Sequence, residues 1–277
     1  MFRLLAALLA STSLALAVDS NCVLQKSIPA ESANRLILNT DSGAILVEPG
    51  DTRTLHVDVC FHDRHPSQED MADFRREFVF DVARSGSTVR AEGRFRNGWG
   101  ESHWIWPWSS VRNLEFRVTV PRKFDAELNT SGGPIWVRNL DGRIEAHTSG
   151  GPIHLENTTA RADVHTSGGP ITITDAKGAV NASTSGGPIT ASFVGQLGAD
   201  TSLTTSGGPI HVRLSPDVRV YLDASTSGGP VSSDFFPPDP YPHNHSSLRA
   251  AINGGGPRLY LHTSGGPIRV THQQTLY

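Results

Sequence analysis

Residues 131–148, SGGPIWVRNLDGRIEAHT, read as two short strands and two turns. Ile135 and Val137 alternate with Trp136 and Arg138, a period of two that marks a half-buried strand. Asn139-Leu140-Asp141-Gly142 is a turn by composition. Ile144, Ala146 and Thr148 then alternate with Glu145 and His147 as a second strand. Ser149-Gly150-Gly151 turns the chain again. Pro152 opens the next strand, the one strand position where a missing N–H is harmless.

The pattern recurs. TSGGP occurs with its threonine at Thr130, Thr148, Thr166, Thr184, Thr205, Thr226 and Thr263, so the intervals are 18, 18, 18, 21, 21 and 37 residues. A degenerate copy, Asn253-Gly254-Gly255-Gly256-Pro257, lies in the longest interval. A cryptic copy opens at Thr40 with Ser42, Gly43 and Ile45 and lacks the proline. A catalytic loop is needed once, whereas a corner repeated seven times points to a repeated architecture.

Parity holds through every copy. Ile144-Ala146-Thr148 and Ala162-Val164-Thr166 typify the inward set before a corner, and Ile153-Leu155 and Ile171-Ile173 the set after it. A slip of one residue would invert every face. As an antiparallel meander the chain would make one sheet with nothing to cover its apolar face. Pairing each strand with its equivalent one repeat later gives two sheets facing each other across a thin core, with like residues about 4.8 Å apart. The expected fold is therefore all-β, a parallel β-solenoid (β-helix) of stacked two-strand coils, each repeat stacked on the last. Its structural turn residues are Gly132, Gly133, Gly150, Gly151, Gly168, Gly169, Gly186, Gly187, Gly207, Gly208, Gly228, Gly229, Gly265 and Gly266. Paired glycines suggest a left-handed backbone, so positive φ is expected at Gly168 or Gly169. The threonine hydroxyls are placed to bond neighbouring turn backbone.

The 277-residue chain is long enough for a sizeable core. Residues 1–17 have the positive start, apolar run and small-residue end of a secretory signal, the alternative being a buried N-terminal helix. The expected domains are a signal peptide at 1–17, an N-terminal β region with an insertion at 18–123, packed on or continuous with the solenoid, and the repeat solenoid at 124–277. No stretch after signal cleavage is long and apolar enough for a transmembrane helix. Net charge is −3, and losing Arg3 with the signal makes it −4, which excludes a strongly basic nucleic-acid binder. Cys22 and Cys60 are the two cysteines, and in an exported protein they suggest one disulfide, two buried thiols being the alternative. The residues before Cys22 do not form a lipoprotein cleavage motif.

These features resemble the bacterial putative-adhesin family, exported proteins with an adhesin-like β-solenoid domain. The likeness rests on residues 36–47 (LILNTDSGAILV), 114–121 (LEFRVTVP), the TSGGPI series, and 252–270 (INGGGPRLYLHTSGGPIRV), and spans roughly 33–272. This chain writes Gly-Pro where many members carry an acidic residue after the Ser-Gly pair. The resemblance implies a repetitive surface or periplasmic scaffold and transfers no catalytic residue.

Two segments break the repeat. Within 61–113, residues 70–78 suggest a short helix or a charged strand, and 78–82 and 88–93 a strand pair. Trp99, Trp104, Trp106 and Trp108 follow, four of the five tryptophans in ten residues. They read as a lid on the solenoid or as a platform stacking on sugar rings. Residues 235–247 (FFPPDPYPHNHSS) form an extended insertion. His243 and His245 there lack the further ligands of a metal site, and His147 and His165 read as part of a solvated column. The glycine turns lack the Lys-Ser/Thr sequel of phosphate loops. Glu145, Glu156, Asp163, Asp175 and Asp223 are scattered by register and side. No cofactor, metal or catalytic set is expected. The leading expectation is a secreted or periplasmic, cell-envelope, non-enzymatic protein whose partner is a cell-surface or envelope protein or a polysaccharide. The alternatives are a glycan-binding or carbohydrate-active protein using the tryptophans, and an envelope assembly protein.

Overall fold

The computed structural model describes residues 21–50, 53–62, 67–96, 114–236 and 246–273. The first half of the chain supplies β1 (Cys22–Pro29), β2 (Arg35–Thr40), β3 (Ala44–Pro49), β4 (Thr54–Phe61), helix α1 (Gln68–Glu77), β5 (Phe78–Ser85), β6 (Thr88–Phe95) and β7 (Leu114–Val120). The repeats follow as strand pairs: β8 (Asp125–Thr130) and β9 (Ile135–Arg138), β10 (Ile144–Thr148) and β11 (Ile153–Glu156), β12 (Ala162–Thr166) and β13 (Ile171–Ala176). Next come β14 (Val180–Thr184) and β15 (Ile189–Phe193), β16 (Thr201–Thr205) and β17 (Ile210–Leu214), β18 (Val220–Thr226) and β19 (Val231–Ser233). The chain closes with β20 (Ser247–Ile252), β21 (Arg258–Thr263) and β22 (Ile268–His272).

These strands form two sheets of eleven. β1 and β4 are antiparallel in one sheet, β5 and β20 in the other, which leaves nine parallel positions in each. The molecule is thus a flattened parallel solenoid, as the repeat pattern requires. Register is in phase: Thr148 lies opposite Thr130 and Thr166, and Ile153 opposite Ile135 and Ile171. The inward residues of both sheets fill one apolar core, with Ile153, Ile171 and Ile189 all fully buried. Each such isoleucine contributes about 1.5–3 kcal/mol. Ser233 alone of the expected inward set is only half-buried, on the three-residue edge strand β19.

The corner explains the repeated sequence. Thr148 Oγ1 donates to the carbonyl of Gly133 in the preceding coil (3.0 Å) and accepts from Gly151 N–H in its own (3.3 Å). Thr166 does the same with Gly151 O and Gly169 N–H, Thr184 with Gly169 O and Gly187 N–H, and Thr205 with Gly187 O and Gly208 N–H. The same carbonyl dictates the second glycine. A Cβ on Gly151 would lie 2.0 Å from Gly133 O, and one on Gly169 2.0 Å from Gly151 O. The expectation of positive φ at Gly168 or Gly169 is corrected here: neither is left-handed. Glycine is needed because the next coil stacks on it, not because the turn is left-handed. In the TSGGP repeats left-handed residues sit at the opposite corner, at Asn139, Asn157 and Asp175 (φ 54°, 50° and 55°), where Asx side chains tolerate that region, whereas in the cryptic copy the corner glycine itself, Gly43, is left-handed (φ 106°). The proline carbonyls are used too: Ile135 N–H donates to Pro152 O, Ile153 to Pro170 O and Ile171 to Pro188 O.

Stacking does not follow chain order at either end, which corrects the expectation that each repeat stacks on the last. β2 and β3 lie against β8 and β9, so the cryptic copy at Thr40 is a true coil, and Thr130 Oγ1 reaches Gly43 O (2.9 Å). The intervening chain returns to place β6 and β7 outside it. At the other end β21 and β22 slot between the coil of β16 and β17 and that of β18 and β19. The threonine bonds follow space, not sequence: Thr263 donates to Gly208 O and Thr226 to Gly266 O, both at 2.7 Å. Both chain-terminal coils therefore lie one layer in, under a cap made by an excursion of the chain.

The N-terminal cap is built from phenylalanine. Helix α1 starts with a capping box between Ser67 and Asp70 and buries Phe74 against Phe61, Phe78 and Phe95. In this outermost coil Gly93 replaces the corner threonine, because any side chain there would strike the rings of Phe78 and Phe116. Cys22 and Cys60 face each other in the β1–β4 pair and form a disulfide.

Two substitutions separate the corner's parts. Gly168→Ala adds a methyl group whose nearest neighbour is 3.9 Å away, whereas Gly169→Ala places it against a carbonyl. Urea denaturation is expected to find the first within about 0.5 kcal/mol of wild type and the second destabilised by about 3 kcal/mol or more. Thr166→Val keeps the shape, strips two buried backbone groups of a partner, and is expected to cost about 1–3 kcal/mol.

Candidate binding surfaces

Because register is in phase, every outward position becomes a column. The position before the corner threonine runs through Glu92, Asn39, Asn129, His147, His165 and Ser183 on successive coils. Asn129 Nδ2 donates to Asn39 Oδ1 (2.8 Å), and His165 Nδ1 is 2.7 Å from Ser183 Oγ. The His147 and His165 rings are 6.3 Å apart. The column borders an open groove of about 440 Å³, flanked by Arg94 and Asp41.

The adjacent column is acidic over three coils, Glu127, Glu145 and Asp163, and each acid is paired with arginine. Glu127 takes Arg35 (2.7 Å), Glu145 takes Arg143 (3.1 Å), and Asp163 takes both Arg161 (2.9 Å) and Arg143 (3.3 Å). Bonds from Arg161 and from Asn181 hold the Asp163 carboxyl below its usual range. At the C-terminal end Asp223 is buried beneath Arg258 and Arg249, which lower its pKa in the same way. Of the acids that sequence left scattered, Glu145, Asp163 and Asp223 are thus ion-paired supports of the ladder.

On the other sheet Trp136 and His154 are in-register neighbours and stack, with ring centroids 3.7 Å apart and planes within 10°. The Arg138 guanidinium sits 5.2 Å from the Trp136 centroid and pairs with Glu48 (3.0 Å) and Glu156 (3.3 Å). Burial and then the nearby Arg138 charge lower the His154 pKa, so the ring stays neutral. Sequence reading placed Trp136 outward and missed this stack. The signal was a histidine 18 positions on, at the equivalent place in the next repeat.

A third feature lies where the last coils of this sheet meet the chain's end. A hollow of about 600 Å³ is lined by Asp175, Arg213, Asp234, Arg269, His272 and Gln273, among others. Asp175 Oδ1 accepts from Ser192 Oγ and from Gln273 Nε2, both at 3.2 Å.

Of the residues singled out from sequence, Trp99, Trp104, Trp106, Trp108, His243 and His245 lie outside the described residues. The strands flanking the tryptophans, β6 and β7, belong to the outermost N-terminal coil. Among the described residues no three His, Cys, Asp or Glu side chains gather as metal ligands, and no helix is long and apolar enough to cross a membrane.

Acid is expected to weaken the fold in two stages. His154 has a lowered pKa in the folded state, so the unfolded chain binds the proton first as pH falls. Its contribution is complete above the ordinary histidine value of 6.5 and declines below it. Asp163 and Asp223 also have lowered values, so their contribution holds above 3.8 and is lost as pH falls below that. His154→Gln is expected to flatten the first stage between pH 7 and 5 in denaturant titrations and to leave the second unchanged. Equal slopes in variant and wild type would contradict the burial of a neutral ring.

The family model described as Toastrack DUF4097 matches residues 26–271, and the chain belongs to that family. Among solved structures it is similar to one titled a putative adhesin from Bacteroides fragilis, with 13% identity, a TM-score of 0.45, and coverage of 90% of this chain and 96% of that one. It is also similar to one titled a putative cell adhesion protein from Clostridium sporogenes, with 10% identity, a TM-score of 0.39, and coverage of 90% and 98%. No curated protein matches the chain.

Proposed function

We propose that this Toastrack-family chain is an exported, non-enzymatic scaffold whose repetitive solenoid surface binds a cell-surface or envelope partner. The observation that carries the reading is the in-register column from Glu92 to Ser183 with its adjoining groove. A surface that repeats once per coil suits a partner with a repeated chemistry, a polysaccharide or an extended chain, because each coil offers a polar side chain at the same position. The charges beside the column are paired with one another, so hydrogen bonding dominates what the surface offers.

Two sequence features support the location. Residues 1–17 have the composition of a secretory signal, and Cys22 and Cys60 suit an oxidising compartment. In this reading residues 18–123 and 124–277 act together, the first closing the stack that the second builds.

The test is an array of glycans and cell-wall fractions probed with the mature protein. Wild type is expected to bind at least one envelope polymer. An Asn129→Ala, His147→Ala, His165→Ala variant is expected to bind it several-fold more weakly at an unchanged melting temperature. Retention of nothing on the array would contradict the reading. A Trp104→Ala, Trp106→Ala, Trp108→Ala variant separates the two roles of the aromatic segment. A lid loses thermal stability without selective loss of glycan binding, whereas an unchanged melting temperature with abolished glycan binding makes the segment the platform.

A further inference from the structure

Arginines on this solenoid are as a rule paired. Arg35 meets Glu127, Arg138 meets Glu48, Arg143 meets Glu145, Arg161 meets Asp163, and Arg258 meets Asp223. Among the described residues the guanidiniums of Arg213 and Arg269, like those of Arg53, Arg90 and Arg94, have no hydrogen-bond or ion-pair partner, and these two alone of the five line the hollow at the C-terminal end together. They stand on adjacent parallel strands, β17 and β22, where Arg213 lies opposite Thr271 and Arg269 opposite His211. The two arginines are therefore diagonal neighbours on one exposed face. Diagonal positions on a sheet are about 7–8 Å apart at Cα, within the joint reach of two long side chains.

The rest of the lining narrows the ligand. Asp175 and Asp234 balance the two guanidiniums, so the hollow has no net positive charge to draw a small inorganic anion. Asp175 is held in place by Ser192 and Gln273. His272 is set by an edge-to-face contact with Phe235 at 4.2 Å. The hollow thus combines two planar donor forks with two carboxylate acceptors, of which Asp175 is fixed, and polar groups. Guanidinium forks match a carboxylate in bidentate fashion, and carboxylates accept from hydroxyls. At about 600 Å³ the space falls within the range of small-ligand sites, about 300–1,000 Å³.

We infer that this hollow is a subsite for an acidic sugar unit, a uronate, whose carboxylate docks on Arg213 and Arg269 while its hydroxyls donate to Asp175 and Asp234. The inference rests on the proposed surface-binding function and names a ligand class for it. The interleaved positions explain why the site forms only when the C-terminal coil is in place. Arg269, Thr271, His272 and Gln273 come from that inserted coil, whereas Arg213 belongs to the coil it stacks on.

The test is calorimetric titration of the mature protein with galacturonate trisaccharide, a neutral galactose trisaccharide and inorganic phosphate. Wild type is expected to bind the acidic trisaccharide at least tenfold more tightly than either control. The Arg213→Gln, Arg269→Gln double variant is expected to lose at least tenfold in that affinity at an unchanged melting temperature, and Asp234→Asn to weaken binding by a smaller factor. Three outcomes overturn the assignment: no uronate binding at millimolar concentration, phosphate binding as tightly as the uronate, or unaltered affinity in the double variant. A double variant that keeps the wild-type pattern on the envelope array removes this subsite and leaves the broader function standing. A wild type that binds nothing on the array removes both.

Discussion

One carbonyl per coil governs this structure. The oxygen of the second corner glycine accepts the hydroxyl of the next coil's threonine and occupies the space where the next glycine's side chain would stand. That double role links two identities in the sequence. Threonine is fixed because serine's missing methyl would leave the inward position underfilled, while valine would leave the backbone unpaired. The second glycine is fixed because there is no room for anything else. Serine and the first glycine face solvent and meet no such constraint in the early coils, where a side chain on Gly132 or Gly150 would touch nothing. The corner tightens toward the C-terminal end: would-be contacts at Gly265 and Gly228 shorten to 2.9 and 2.8 Å, and the threonine there accepts from the first glycine rather than the second.

The same interaction makes coils interchangeable, and the chain uses that freedom at both ends. Any coil with the corner can stack on any other, so the order in space need not match the order in sequence. Placing β2 and β3 and then β21 and β22 one layer inside gives each chain-terminal coil neighbours on both sides. Fraying is opposed because release of either end must break two sets of ladder bonds instead of one. Three of the four sheet edges are the antiparallel strands β1, β5 and β20, the last exposing Arg249, and the fourth is β19, a parallel strand of only three residues.

Much of this was legible before any coordinates, and the limits have physical causes. Strand parity, the two-sheet coil and the inward threonine follow from periodicity, which is local. The cryptic coil at Thr40 was legible from four retained residues, Thr40, Ser42, Gly43 and Ile45. The stacking order was not, since a degenerate corner carries no information about its neighbour. The φ of the glycines was misread because glycine pairs signal either a left-handed turn or a close approach, and only the neighbouring coil distinguishes them. The candidate surfaces were least legible. The Asn129–His147–His165 column could be placed from register alone. The Trp136–His154 stack and the hollow containing Arg213 and Arg269 depend on which coils touch, and for Arg269 on the inserted coil above all.

The corner column is thus the continuous, buried, bonded element on which the stack depends. Native-state hydrogen exchange tests it most directly, read at the amides of Gly151, Gly169, Gly187 and Gly208, each of which donates to a threonine hydroxyl. The account expects these four amides to exchange together, and only through global unfolding, with protection matching that of the strand amides of Ile153, Ile171 and Ile189. Exchange of the four glycines at the rate of solvent-exposed turns, while the strand amides stay protected, would contradict it.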